Sequence, residues 1–400
     1  MTILVADNIA RVGIDELRSA GHTVVSQPGL SGGALIEALR SEAPDVLIVR
    51  STRVTAEALE ASPDLALIVR AGAGYDTIDV SGAAQRGIFV ANCPGRNSVA
   101  VAELTMGLIV ALDRRIPDNV IDARGGRWNK KAYAQAEGIK GRTLGIIGLG
   151  NIGAAVMQRA KAFDLDVIAW SRSLTAEEAD AQGIGYRSSP EAVAKDAGIV
   201  TLHVASTPET KHLADRDFFQ ALPDGALFVN TTRAAVVDED ALEWAMDEKG
   251  VLAAIDVMEG EPASKQAEFE HPLADHPNLY MTHHIGASTQ QALDATALEA
   301  ARVVRTFDEE GDVPNCVNLA AKTRASYQLT VRHKDKVGVL AGVLDEVRRA
   351  NWNIQEMSNR IFEGGDAAVA SIRFAGTYDE SAIARIEERD DVFAVSANEL

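Results

Sequence analysis

Only two of the 400 residues are cysteine, Cys93 and Cys316. They supply neither a disulfide framework nor the paired spacing of a metal site, so no metal is expected and a reducing cytoplasm is the simple inference. Long apolar runs are also missing. None approaches the roughly 20 residues that cross a bilayer, so no membrane role is expected. The opening Met1-Thr-Ile-Leu-Val5 reads as a strand and lacks the basic flank and cleavage site of a signal peptide. Positive charge is scarce: 39 Lys and Arg stand against 58 Asp and Glu, for a net charge of −19. Nucleic acid requires a basic face, so it is not an expected partner. The same imbalance sets a condition on any anionic substrate, which would need a local cationic pocket held against the overall field. No internal repeat or low-complexity tract is present.

What remains is a soluble composition long enough for two or three domains. Short apolar segments at 3–6, 22–25, 46–49, 66–70 and 88–91 alternate with helical patterns at 9–20, 33–41 and 55–61. This βα alternation predicts a parallel sheet covered on both faces. A long apolar helix is expected over 98–112, with Ser98 placed to cap it, followed by a charged stretch to residue 141. A second βα series has strands at 144–147, 167–170, 199–203, 227–230, 253–257 and 279–282, then a helix at 289–307. Residues 316–325 read as a linker. The remainder has the order strand 328–331, helix 339–350, strands 354–360 and 367–374, helix 380–389 and strand 392–396, a ferredoxin-like βαββαβ pattern.

The stretch Thr143-Leu-Gly-Ile-Ile-Gly-Leu-Gly-Asn-Ile-Gly153 opens the second series. Strand, glycine turn, helix and strand follow one another as a dinucleotide-binding unit requires. Gly148 permits the tight turn, Gly150 admits a pyrophosphate close to the backbone, and Gly153 seats the helix on the strand. The phosphates then meet the free N–H groups of the helix N-terminus. The next strand ends Ser171-Arg172-Ser173, where a carboxylate would be expected to hold the ribose of NAD. Ser and Arg there suit a 2′-phosphate, a lean towards NADP.

Three later strand ends carry reactive groups. Asn230-Thr-Thr-Arg233 offers a guanidinium for a carboxylate, Asp256-Val-Met-Glu-Gly-Glu-Pro262 offers acids, and His283-His284-Ile-Gly-Ala287 offers a proton-transfer group. Each alone is more often structural or solvated. Together on successive strand ends they suit hydride transfer to a 2-oxo acid: Arg233 orients it, His284 moves the proton, and Glu261 supports the imidazolium.

These motifs resemble those of the D-isomer-specific 2-hydroxyacid dehydrogenases, over nearly the whole chain, and most of all the members that act on 3-phosphoglycerate. The resemblance implies Arg233, Glu261 and His284 as catalytic. It implies dinucleotide contacts from Gly148, Gly150, Asn151, Ile152, Gly153, Ser171, Arg172, Ser173, His203, Thr231, Thr232, Asp256, Gly286 and Ala287, with NAD or NADP as cofactor. It also implies a discontinuous substrate domain of 1–97 and 286–312, a dinucleotide domain of 98–285, a linker of 313–325 and an ACT domain of 326–400. The fold class expected is therefore α/β, with two doubly wound parallel sheets, Rossmann- and flavodoxin-like, and a C-terminal ferredoxin-like domain.

Segments resembling the substrate site bring in Arg50, Ser51, Arg53, Arg70, Gly74 and Asn97, and the arginines could form the required cationic pocket. The activity implied is interconversion of 3-phospho-D-glycerate and 3-phosphohydroxypyruvate, which enters L-serine synthesis. An NADPH-linked hydroxypyruvate/glyoxylate reductase is the alternative, closer at Ser171-Arg172, and a non-catalytic dinucleotide sensor is the alternative of another class. The ACT resemblance implies L-serine contacts at His333, Asp335 and Asn353, and assembly as a homodimer or homotetramer. Asp335 stands where an amide is usual, and a structural role for this block is equally open.

Overall fold

The computed structural model describes residues 1–262, 267–320 and 322–400. Part of the linker expected over 313–325, residue 321, lies outside the described residues. The chain divides into two compact units, Met1–Asn318 and Leu319–Leu400.

The first unit contains two sheets. One comprises β1 (Thr2–Val5), β2 (Thr23–Ser26), β3 (Val46–Val49), β4 (Leu67–Arg70) and β5 (Phe89–Asn92), all parallel, in the order β2-β1-β3-β4-β5. Helices between the strands cover both faces, which is why β3 reads as an unbroken apolar run with every residue buried. The helix Gln290–Glu310 returns to this sheet and packs on helix Arg11–Ser19. Gly13 makes the approach possible: a Cβ there would lie 2.6 Å from the Ala297 carbonyl oxygen.

The other sheet comprises β6 (Thr143–Ile147), β7 (Asp166–Trp170), β8 (Gly185–Tyr186), β9 (Ile199–Leu202), β10 (Leu227–Asn230), β11 (Leu252–Ile255) and β12 (Leu279–Met281). All are parallel, in the order β12-β11-β10-β9-β6-β7-β8. This is the doubly wound arrangement, with the order reversing beside β6. The two-residue edge strand β8 escapes a pattern search because it is too short to show a period. One face buries Phe218, Phe219 and Phe228 in mutual edge-to-face contacts. Truncating one of them to Ala would cost about 3–5 kcal/mol.

The expectation that Ser98 caps the long helix is corrected. Ser98 is the first helical residue of Ser98–Arg114, Asn97 occupies the cap position, and neither makes a side-chain capping bond. Ser98 is buried, and its hydroxyl has no partner. Two short helices, Ile116–Arg124 and Lys130–Tyr133, lie in the charged stretch that follows.

In the second unit, β13 (Tyr327–Lys334), β14 (Asn353–Ile361), β15 (Ala367–Ala375) and β16 (Val392–Glu399) form an antiparallel sheet ordered β14-β15-β13-β16. Helices Val339–Arg349 and Glu380–Glu387 pack over it, giving the ferredoxin-like βαββαβ topology. Its alternating apolar positions Leu329, Val331, Ala370, Ile372 and Phe374 point into one small core. Among the described residues, no helix is long and apolar enough to cross a membrane, and no cluster of His, Cys, Asp or Glu could hold a metal ion.

Candidate active site

The glycine turn has the geometry its sequence requires. Gly148 follows β6 with φ +95°, and a Cβ on it would meet the His203 carbonyl oxygen at 2.6 Å, so the turn is closed to any larger residue. Gly150 ends the turn as the cap of helix Asn151–Ala162, and a Cβ there would meet open space. A Cβ on Gly153 would collide with the Gly148 carbonyl oxygen. The chain therefore leaves room beside Gly150, in front of helix N–H groups at the reversal of strand order, where a pyrophosphate fits.

Ser171, Arg172 and Ser173 follow the end of β7. Ser171 is half-buried, Arg172 and Ser173 are exposed, and Arg172 has no ion-pair partner among the described residues. His203 follows β9 and is buried. Its Nε2 lies 3.1 Å from the Thr201 hydroxyl, its Nδ1 has no partner, and burial drives its pKa down to about 3, so the ring is neutral. Thr231 and Thr232 follow β10. The Thr231 hydroxyl lies 3.2 Å from that of Thr105, and Thr232 donates to Asn230 Oδ1 through both its N–H and its hydroxyl.

The proton-transfer pair is assembled from the ends of β11 and β12. His284 Nδ1 lies 2.7 Å from Glu261 Oε2. A carboxylate can only accept, so Nδ1 carries the proton of the neutral ring and Nε2 presents a lone pair. Burial pushes the Glu261 carboxyl up. The hydrogen bond and charge of His284, the Met258 N–H and Arg233 outweigh it and hold the carboxyl below its ordinary value. His284 sits at φ +51°, an uncommon conformation for a non-glycine residue. Asp256 fixes this turn. It is 1% exposed and accepts from the Thr282 hydroxyl at 2.6 Å, the Ile285 N–H at 2.9 Å and the Gly286 N–H at 2.8 Å. Ala287 follows at the cavity wall.

Opposite stand the ends of β3 and β4. A cavity of 700 Å³ is lined by Asp7, Arg50, Ser51, Arg70 and Asn97 on the first sheet's side and by Met258, Glu261 and His284 on the other. Arg70 is largely buried, and its Nε has no partner. Burial, reinforced by the like charges of Arg233 and Arg50, lowers its pKa to about 10. Arg233 donates to its neighbour's carbonyl oxygen and reaches Asp76 at 3.5 Å. A Cβ on Gly74 would meet Arg233 Nη2, so a larger residue there would push the guanidinium aside. Crowded cations of this kind gain most when an anion arrives between them. Arg53 is not brought in: it is exposed and does not line the cavity.

In the C-terminal unit, His333 is 2% exposed, with Nδ1 2.9 Å from the Lys334 carbonyl oxygen and Nε2 3.1 Å from Asn359 Oδ1. Asp335 and Asn353 are exposed. His333 pairs with Ala368 and Asn353 with Ala375 along β15, so one chain places them at opposite ends of its sheet. Asp7 and Asp76 were missed as site residues by sequence reasoning. Asp7 stands just beyond the end of the first strand, where ligands of open α/β sheets bind, but its partners lie 43 residues on and give no local signal.

Comparison with known proteins agrees with this geometry. The family profile described as D-isomer specific 2-hydroxyacid dehydrogenase, NAD binding domain, matches residues 106–286. A hydroxypyruvate reductase of Thermotoga maritima is 39% identical over 269 residues, 67% of this chain and 85% of that protein. The chain belongs to the D-isomer-specific 2-hydroxyacid dehydrogenase family. The D-3-phosphoglycerate dehydrogenase of Methanocaldococcus jannaschii is 37% identical over 319 residues, 79% of this chain and 59% of that protein. The chain spans between 59% and 64% of the length of three such curated relatives. A solved structure of NAD+-bound 3-phosphoglycerate dehydrogenase from Entamoeba histolytica superposes with a TM-score of 0.67 at 27% identity, covering 80% of this chain and 99% of that one. In this family the segment holding the glycine turn is a nicotinamide-dinucleotide-binding domain.

Proposed function

We propose that the protein is a D-3-phosphoglycerate dehydrogenase, interconverting 3-phospho-D-glycerate and 3-phosphohydroxypyruvate. The observation that carries this reading is the meeting of two arginines, Arg50 and Arg70, with the His284–Glu261 pair around one cavity, while Arg233 acts by its charge on both Arg70 and Glu261. A substrate with a carboxylate at one end and a phosphate at the other needs two cationic anchors flanking its reacting carbon. Arg233, beside the pair, takes the carboxylate, and Arg50 and Arg70 take the phosphate. In the oxidative direction His284 Nε2 accepts the hydroxyl proton, and Glu261 stabilises the imidazolium that results. A bound nicotinamide dinucleotide supplies the hydride acceptor. Gly148 to Gly153, Ser171 to Ser173, Thr231 and Thr232 would hold it.

Ser171 and Arg172 support NADP over NAD, since the Arg172 guanidinium has no ion-pair partner among the described residues and suits a 2′-phosphate, and Ser171 stands where an NAD site would carry a carboxylate. The same feature supports the second reading, an NADPH-linked hydroxypyruvate/glyoxylate reductase. A dinucleotide sensor without catalysis is disfavoured by the intact His284–Glu261 pair. We place the C-terminal unit as an ACT-type regulatory or assembly domain. Because His333 and Asn353 stand at opposite ends of the sheet, L-serine bound to both would draw them from two copies. Exposed Ile121 and Trp128, the latter 88% exposed, support a homodimer through that segment, with a tetramer as the larger assembly.

The test is a steady-state assay crossing NADH and NADPH with 3-phosphohydroxypyruvate, hydroxypyruvate, glyoxylate and 2-oxoglutarate. The highest kcat/KM is expected for 3-phosphohydroxypyruvate, with NADPH at least as effective as NADH. A preference for glyoxylate or hydroxypyruvate would establish the reductase reading instead.

A further inference from the structure

The first sheet has its own reversal of strand order. The chain leaves β1 for β2 on one side and returns to β3 on the other, opening a crevice beyond the ends of β1 and β3. Such crevices receive ligands in open α/β sheets. Three successive backbone N–H groups, of Arg50, Ser51 and Thr52, converge there at the end of β3, an arrangement that cradles anions. Here it is already filled. Asp7 Oδ2 accepts from the N–H of Arg50 at 2.6 Å, of Ser51 at 2.9 Å and of Thr52 at 2.9 Å, and Oδ1 accepts from the Ser51 hydroxyl at 3.0 Å. Asp7 is 8% exposed. Burial raises its carboxyl, but the backbone donors outweigh this and keep it ionised below the ordinary range.

We propose that Asp7 is a positioning residue: an anion built into the chain that occupies the N–H cradle at 50–52 and thereby sets Arg50 and Ser51 at the wall of the substrate cavity. With the cradle filled, the backbone cannot take the substrate's anionic group, and that group is left to the arginine side chains. Asp7 thus contributes to specificity by holding the residues that meet the substrate. Its neighbour in the network, the Thr52 hydroxyl, donates to the Leu30 carbonyl oxygen at 3.0 Å and ties the same turn to the segment after β2. At the second sheet's reversal the corresponding space, beside Gly150, is open.

This inference rests on the dehydrogenase reading, and its test uses whichever 2-hydroxy or 2-oxo acid the unaltered enzyme turns over best. An inactive unaltered enzyme would therefore count against the dehydrogenase reading and not against Asp7. The variant is Asp7→Ala, measured in sodium formate and in sodium chloride at equal ionic strength. In chloride, KM for the acid substrate should rise about tenfold or more, the scale of losing hydrogen bonds to a charged group. Dinucleotide affinity, read by fluorescence titration, should stay within about twofold, because the second sheet is untouched. Formate supplies a free carboxylate that fits the vacated cradle, and should bring KM most of the way back to that of the unaltered enzyme. An unchanged KM would overturn the proposal. So would a rise in KM accompanied by a parallel fall in dinucleotide affinity and melting temperature that formate does not reverse, since that marks a fold-wide defect. If Asp7→Ala does not fold, Asp7→Asn serves: it keeps the volume and one acceptor oxygen but removes the charge, and must show a smaller rise in KM with dinucleotide affinity intact.

Discussion

The two sheets of the first unit solve one topological problem in opposite ways. Both reverse their strand order and so open a crevice at the carboxyl ends of neighbouring strands. At the second sheet the chain withdraws. Gly148 and Gly153 cannot carry a Cβ, and Gly150 faces open space, so backbone N–H groups are left for a ligand. At the first sheet the chain fills the crevice itself, with the Asp7 carboxylate on three N–H groups, and turns side-chain cations towards the cavity instead. A backbone cradle suits a pyrophosphate whose position is the same in every turnover. Side chains such as Arg50 and Arg70 suit a substrate that must enter and leave. On the proposed function, the contrast gives dinucleotide holding, carboxylate binding and proton transfer to one rim and phosphate recognition to the other.

Substitutions at each rim should separate these duties. His284→Ala should have the largest effect, lowering kcat about 10³-fold while dinucleotide titration stays unchanged. A small loss would remove the ring from proton transfer. Next, Gly148→Ala places a Cβ against the His203 carbonyl oxygen at a residue with φ +95°. Dinucleotide affinity should fall roughly tenfold to a hundredfold, and unaltered binding would show that the turn does not carry the cofactor.

Glu261→Gln should lower kcat by about tenfold and move the acid limb of the oxidative pH–rate profile to lower pH, because the imidazolium loses its anionic partner. The sign follows from the carboxyl. Its folded pKa lies below the ordinary 4.5, so the pairing is complete above that value and is lost only as pH falls through the lowered one. The limb difference between the two enzymes should therefore persist across the neutral range. A superimposable profile would detach Glu261 from His284.

The same contrast explains what could be read in advance. The second rim is written locally: three glycines within six residues, then an Arg, a Glu and a His at strand ends, each recognisable from backbone sterics or titration chemistry. The βα alternation and the terminal βαββαβ order were legible because both periods are long. The first rim depends on residues far apart in sequence. Asp7 acquires meaning only when β1 lies beside β3, 43 residues on, and nothing in Ala6-Asp7-Asn8 announces it. Arg53 shows the converse, since its place in Arg50-Ser-Thr-Arg53 suggests a fourth cation while the chain directs it to solvent. The Ser98 cap failed by one position because Asn97 already holds the non-helical turn. The sequence leaves His333 open between an L-serine contact and a structural role. Its ring is buried in the sheet with both nitrogens engaged, which no spacing rule reveals.

The central claim, that the first rim recognises the phosphate, is tested most directly by Arg70→Ala. The quantity to measure is kcat/KM for 3-phosphohydroxypyruvate relative to glyoxylate, in the variant and in the unaltered enzyme. Removing one guanidinium from a largely buried anion site should lower the phosphorylated substrate's value about a hundredfold and leave glyoxylate within a few-fold. Equal losses on both substrates would contradict the account.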